Sequence, residues 1–108
     1  MNWVVETLNA AVDAELQALP ADMRARFAYI ARLIEEFGLE RVREPHVKHL
    51  RGPLWEMRMK GRDGISRAIY VAAAGKRVVV VRAFMKKTQA TPQREVDLAL
   101  RRAKGVLE

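Results

Sequence analysis

The chain has no cysteine, only two histidines and just seven aromatic residues among its 108 positions. Without cysteine there is no disulfide framework and no thiolate metal site. The two histidines, His46 and His49, have no carboxylate pattern around them, so neither a metal nor a cofactor is expected. No apolar run approaches the roughly 20 residues of a membrane span. The opening MNWVVETLN lacks the basic-then-apolar layout of a secretory signal. The expectation is a cytoplasmic protein with no membrane partner. Also missing are a Gly-rich phosphate loop, a nucleophile elbow, an internal repeat and a low-complexity linker. One domain over residues 1–108 is the expectation at this length.

Negative charge is scarce where positive charge collects. The chain carries 20 basic and 13 acidic side chains, net +7, with 14 arginines among the basic ones. Residues 1–40 hold three basic and seven acidic groups; residues 41–108 hold seventeen basic and six acidic. An arginine-rich second part suits a polyanionic partner, because guanidinium binds phosphate through two parallel hydrogen bonds. A plain solvated surface is the alternative, since net charge alone names no fold.

The apolar spacing sets out the elements. Trp3-Val4-Val5 reads as a short strand. Val12, Leu16 and Leu19 recur at helical spacing, and Met23, Phe27, Ile30, Ile34 and Phe37 form one continuous stripe after Pro20. Gly38 stands where a C-terminal glycine cap belongs. These features predict two helices joined by a tight turn. From about residue 46 the period changes to two. Trp55, Met57 and Met59 alternate with Glu56, Arg58 and Lys60, the pattern of a strand with one buried face. Turns at 60–64 and 74–76 separate it from strands at 67–73 and 78–85, the last apolar enough to be covered on both faces. His46 to Leu50 reads as a further short strand. Thr91 and Pro92 predict the N-cap and first residue of a final helix. The expected fold class is α/β (α+β), with an N-terminal strand and a helical hairpin on an antiparallel β-meander and a helix at the C-terminus.

Such a meander would bring Arg58, Arg67, Arg82 and one or both of Lys86 and Lys87 onto one side of the sheet. The adjacent lysines lie just past a central strand, on a rigid scaffold yet open to solvent. Alternation lets only one of them face a given site. Attack of an RNA 2′-hydroxyl on its own phosphate needs a base, positive charge at the phosphorane-like transition state, and a proton for the leaving 5′-oxygen. Arginines fill the second role; a lysine among other cations, or His46 and His49, could fill the others. Both tryptophans read as packing residues, Phe84 as core or as a platform for a base, and Glu56 as an ion-pair partner.

The stretch KHLRGPLWEMRMKGRDGISRAIYVAAAGKRVVVVRAFMKKTQATPQREVDLALRRA, residues 48–103, resembles the RelE/HigB family of toxins. It is similar in particular to the phage-derived branch that carries L-W-E-L-R, R-x-x-Y and F-x-K-K-T-x-K-T-P. Upstream, VDAELQALPADMRARFAYIARLIEEFG looks like that family's helical hairpin. Ala90 departs from the branch, which commonly has lysine there. The resemblance implies a toxin of a type II toxin–antitoxin system that cleaves messenger RNA, usually on the ribosome, and is neutralised by a helix-turn-helix antitoxin. By position, it implies Arg67, Lys86, Lys87 and His49 as catalytic candidates. Arg58, Lys48, Arg82 and Phe84 are the candidate RNA contacts. Two alternatives stay open at this point: a ParE-like DNA gyrase poison, and a non-catalytic nucleic-acid-binding prophage remnant.

Overall fold

The chain begins with a strand and is soon helical. In the computed structural model, which describes residues 2–87 and 90–107, β1 spans Val4–Thr7, α1 Ala10–Gln17 and α2 Ala21–Phe37. The Asn9 side chain accepts the Val12 amide at 3.1 Å and so starts α1 by satisfying a helix-end donor. Pro20 precedes α2, and its carbonyl takes the Met23 and Arg24 amides. Gly38 ends α2 with φ 93°, returning its amide to the Ile34 carbonyl at 2.8 Å. The predicted hairpin is therefore present.

Four strands follow: β2 Val47–Arg51, β3 Leu54–Gly61, β4 Gly64–Ala73 and β5 Arg77–Lys86, and then α3, Gln93–Leu107. β2 to β5 form the expected antiparallel meander. β1 adds to it in parallel beside β5, giving the order β1-β5-β4-β3-β2. Gly61 is needed at the β3–β4 turn. A Cβ there would sit 2.7 Å from the Asp22 carboxylate, which reaches from the start of α2 to accept the Arg62 amide at 2.7 Å.

The sheet has a core on each face. The hairpin buries Val12, Leu16, Met23, Ile30 and Ile34 against Met57, Met59, Tyr70, Val78 and Val80. α3 buries Val96, Ala99 and Ala103 against Leu54, Ile69, Val79, Val81 and Phe84 on the other side. That double cover accounts for the nearly unbroken apolar run in β5. A register shift at Ile69/Tyr70 marks a bulge between β4 and β5.

Several expected packing residues lie elsewhere. Phe37, at the end of the α2 stripe, is 58% exposed. Phe27 is only half-buried. Trp55 is exposed and its ring tilts against His49 with 4.9 Å between centroids. The Thr91 hydroxyl donates to a glutamate in β3. Among the described residues, no helix is long and apolar enough to cross a membrane.

Candidate functional site

Register decides which side chains share the face of the sheet that α3 covers. Arg58 pairs with Arg67 and Arg67 with Phe84; Lys48 pairs with Glu56, and Ile65 with Lys86. Paired residues point to one side of a sheet, so four adjacent strands deliver Lys48, Arg58, Arg67 and Lys86 to the same face. They surround one carboxylate, Glu56.

Glu56 and Arg67 are both buried, and their ion pair anchors the site. Glu56 Oε2 accepts from Arg67 Nε at 2.9 Å, and Arg67 Nη1 donates to the Ser66 carbonyl at 3.1 Å. The second carboxylate oxygen, Oε1, accepts from the Thr91 hydroxyl at 2.7 Å. Glu56 thus fixes the buried guanidinium with one oxygen and tethers the segment leading into α3 with the other. Sequence reasoning missed this use of Thr91, since a Thr-Pro pair before a helix reads as a cap.

Beside the pair opens a cleft of about 240 Å³, lined by Lys48, His49, Glu56, Arg58, Lys86 and Thr91 among others. Lys86 is 9% exposed. Burial lowers its pKa below lysine's ordinary value, and Arg67, Arg58 and Lys48 lower it further against the opposing pull of Glu56. Burial likewise pulls the Arg67 guanidinium below arginine's ordinary value; Glu56 opposes this and Arg58 reinforces it. Arg58 is half-exposed and Lys48 exposed, so both can reach a ligand. His49 donates Nε2–H to the Gly52 carbonyl at 2.9 Å, which leaves Nδ1 as the ring's acceptor when it is neutral. Ala90, where a lysine was expected from the branch pattern, lies on the cleft wall.

Five of the eight candidates therefore meet: Lys48, His49, Arg58, Arg67 and Lys86. Lys87 is exposed at the end of β5 and is not among the residues lining the cleft. Arg82 and Phe84 are engaged away from the cleft. Arg82 lies on the same face of the sheet but is held in a salt-bridge network with Glu95 at 2.6 Å and Glu15 at 3.0 Å. Phe84 is buried under α3, with the Arg82 guanidinium 5.7 Å from its ring centre, so no face is open for a base. Among the described residues no group of His, Asp and Glu is placed to hold a metal.

Residues 14–104 match the family model described as Phage derived protein Gp49-like (DUF891). The chain belongs to this RelE-like toxin family. No curated protein sequence matches it. Among solved structures, the chain is similar to the free state of an arginine-to-alanine double mutant of the E. coli toxin RelE. That match has a TM-score of 0.64 at 17% identity and covers 94% of this chain and 98% of that one. It is also similar to a chain of the archaeal RelE-RelB complex from Pyrococcus horikoshii OT3. Here the TM-score is 0.54 at 25% identity, covering 79% and 96%. The Gp49-like chain thus has the RelE fold, with its cationic cleft on the α3 side of the sheet.

Proposed function

We propose that the chain is the toxin of a toxin–antitoxin pair and cleaves messenger RNA, presented by the ribosome, through attack of a 2′-hydroxyl on the adjacent phosphate. The observation that carries this reading is the gathering of four cations from four strands around a single buried carboxylate, three of them on the wall of an open cleft. Such an arrangement is costly to fold and serves an anion. Arg58 contacts the phosphate, and Arg67, fixed by Glu56, adds positive charge that needs no reorganisation as the transition state forms. His49 takes the 2′-hydroxyl proton at Nδ1. The O2′–P bond forms, the P–O5′ bond breaks, and protonated Lys86 donates to the departing 5′-oxygen. Its lowered pKa makes it a stronger acid than an ordinary lysine.

The solved RelE-RelB complex supports a cognate partner protein for this chain. We take that partner to be the antitoxin, with a helix-turn-helix domain, acting on residues 1–108 as one toxin domain. Induced expression followed by mapping of transcript 5′ ends tests the reading. New ends should appear within coding sequences alongside growth arrest. Arg58→Ala should reduce cleavage about 10²–10³-fold, the usual effect of losing one transition-state donor, with the unfolding midpoint unchanged. Growth arrest with intact transcripts and blocked DNA supercoiling would instead make the chain a gyrase poison.

A further inference from the structure

A second cationic pocket, of about 300 Å³, lies next to the cleft and shares Arg58 with it. β2 pairs with β3 as far as Met57 and the Arg58 amide donates to the His46 carbonyl at 2.8 Å; beyond Arg58, β3 borders an open sheet edge. Around that edge, Arg26 from α2 meets Arg58, Lys60 and Arg67 from β3 and β4, with His46 on the wall. No carboxylate is among the described residues that line it. Two acidic groups on the adjoining elements are engaged: Glu56 with Arg67 and Thr91, and Asp22 with the Arg62 amide.

Arg26 is also held in place. Its guanidinium lies 5.6 Å from the ring centre of Tyr29, and the ring of His46 meets the same tyrosine edge-on at 5.9 Å. Tyr29 is 44% exposed on α2, so it stands at the surface as the support between two groups of this pocket. A helix that reads from its sequence as the acidic part of the molecule therefore presents a fixed arginine to the basic edge of the sheet.

We propose that this pocket is a second phosphate subsite, formed by Arg26, Arg58 and Lys60, which binds the backbone phosphate neighbouring the one in the cleft. The proposal rests on the RNA reading given above. Shared Arg58 favours two phosphates of one strand over a side-chain carboxylate of a protein: adjoining charges at regular spacing are what a nucleic-acid backbone offers. The guanidinium fork suits a phosphate in two-point contact, and the pocket sets the direction of the strand from the cleft towards α2.

Binding of a short single-stranded RNA, made uncleavable by a 2′-deoxy nucleotide at the scissile position, is the test. For wild type and Arg26→Ala, log affinity is measured against log salt. One phosphate contact in single strands contributes about 0.7 to that slope, so the variant's slope should be shallower by that amount. Arg32→Ala removes an equally exposed charge of α2 outside the pocket and should leave the slope unchanged. A methylphosphonate at the flanking linkage should weaken wild type several-fold and Arg26→Ala hardly at all. Equal slopes, or an equal methylphosphonate penalty in both proteins, would overturn the subsite while leaving cleavage at the cleft intact. Unaltered RNA binding by Arg26→Ala with weakened antitoxin binding would assign the pocket to a protein carboxylate and also overturn it. If wild type shows the expected slopes yet cleaves no RNA, the subsite holds and the catalytic reading falls.

Discussion

Two ionic clusters lie at the margins of the same sheet, and their charge balance separates them. At the β5 edge, Glu15 and Glu95 face Arg82 and Arg102, two carboxylates for two partly buried guanidiniums, with exposed Arg94 at 4.0 Å from Glu95. Glu15 accepts the Ala83 amide at 3.1 Å and Arg102 donates to the Val81 carbonyl at 2.8 Å, so the network also closes a strand edge that β1 is too short to cover. At the other cluster Glu56 alone faces Arg67, Arg58, Lys48 and Lys86. In the first, both carboxylates and both partly buried guanidiniums are satisfied by one another. The second holds positive charge that the fold does not neutralise, and only an external anion completes it. Arginine in a basic sequence is therefore no guide to function until its carboxylates are counted.

The largest expected effect tests the centre of the unbalanced cluster. Arg67→Ala leaves Glu56 buried without its counter-ion, and breaking such a pair costs about 3–5 kcal/mol. Lost toxicity in that variant is then a loss of fold, separable from chemistry by denaturant titration. Arg67→Ala combined with Glu56→Gln should recover much of the stability without recovering cleavage. A loss below about 1 kcal/mol in the single variant would mean that Glu56 reaches solvent and that the pair is not the anchor.

The balanced cluster should respond less, and only in stability. Glu15→Ala removes a charged acceptor from the Ala83 amide and from two arginines, worth about 1.5–3 kcal/mol. Burial alone would raise the Glu15 pKa, but Arg102, the Ala83 amide and Arg82 together outweigh it and lower the value. A depressed carboxyl pKa gives stability that is present above the unfolded value and lost as pH falls through the folded one. The gap between wild type and Glu15→Gln should accordingly close on acidification. RNA cleavage per folded molecule should not change in either variant.

How the two clusters could be told apart in advance bears on what the sequence discloses. The helical stripe, the period-two strand around Met57 and the doubly covered β5 were all legible, because burial imposes a spacing on apolar residues. Lys48, Arg58, Arg67 and Lys86 were legible as basic positions on strands, and alternation foretold that one lysine of the pair would face the cleft. Arg82 pairs with Ile69 and so lies on that face too, but its capture by Glu15 and Glu95 was not legible, because those partners come from α1 and α3. Neither was Arg26, whose place beside Arg58 depends on how α2 crosses an open sheet edge. Trp55 was read as packing because large aromatics usually bury, yet at 40% exposure it rests on His49 beside edge strand β2. Each miss is a long-range contact with no periodic signature.

A smaller effect, of opposite sign to those above, should come from Lys86→Met. Keeping Lys86 charged in the folded cleft costs stability, since burial and three neighbouring cations lower its pKa. That cost is full below the folded pKa and disappears as pH rises past the unfolded one, where the unfolded chain no longer holds the extra proton. Replacing the lysine with an apolar side chain of similar length should stabilise the protein at pH 7 by about 1 kcal/mol, the usual scale for relieving a functional strain. Cleavage should be abolished in the same variant. Destabilisation would show that Lys86 belongs with the balanced cluster after all.

The smallest effect reads the coupling inside the cleft. If protonated Lys86 is the general acid, the alkaline limb of the cleavage rate reports its loss of a proton, and that limb should lie below lysine's ordinary value. Lys48 is one of the cations that hold it there. Removing a neighbouring positive charge favours the charged form of an amine, so Lys48→Ala should move the limb to higher pH. Lys48 is exposed, and solvent screens its field, so the shift should shrink as salt is raised and the Debye length falls from about 10 Å at 0.1 M to about 3 Å at 1 M. Arg102→Ala serves as the contrasting variant, because it removes a cation from the Glu15–Glu95 network instead. A limb that moves equally in both variants would reflect net charge alone, and a limb that moves in neither would take the proton donor away from Lys86.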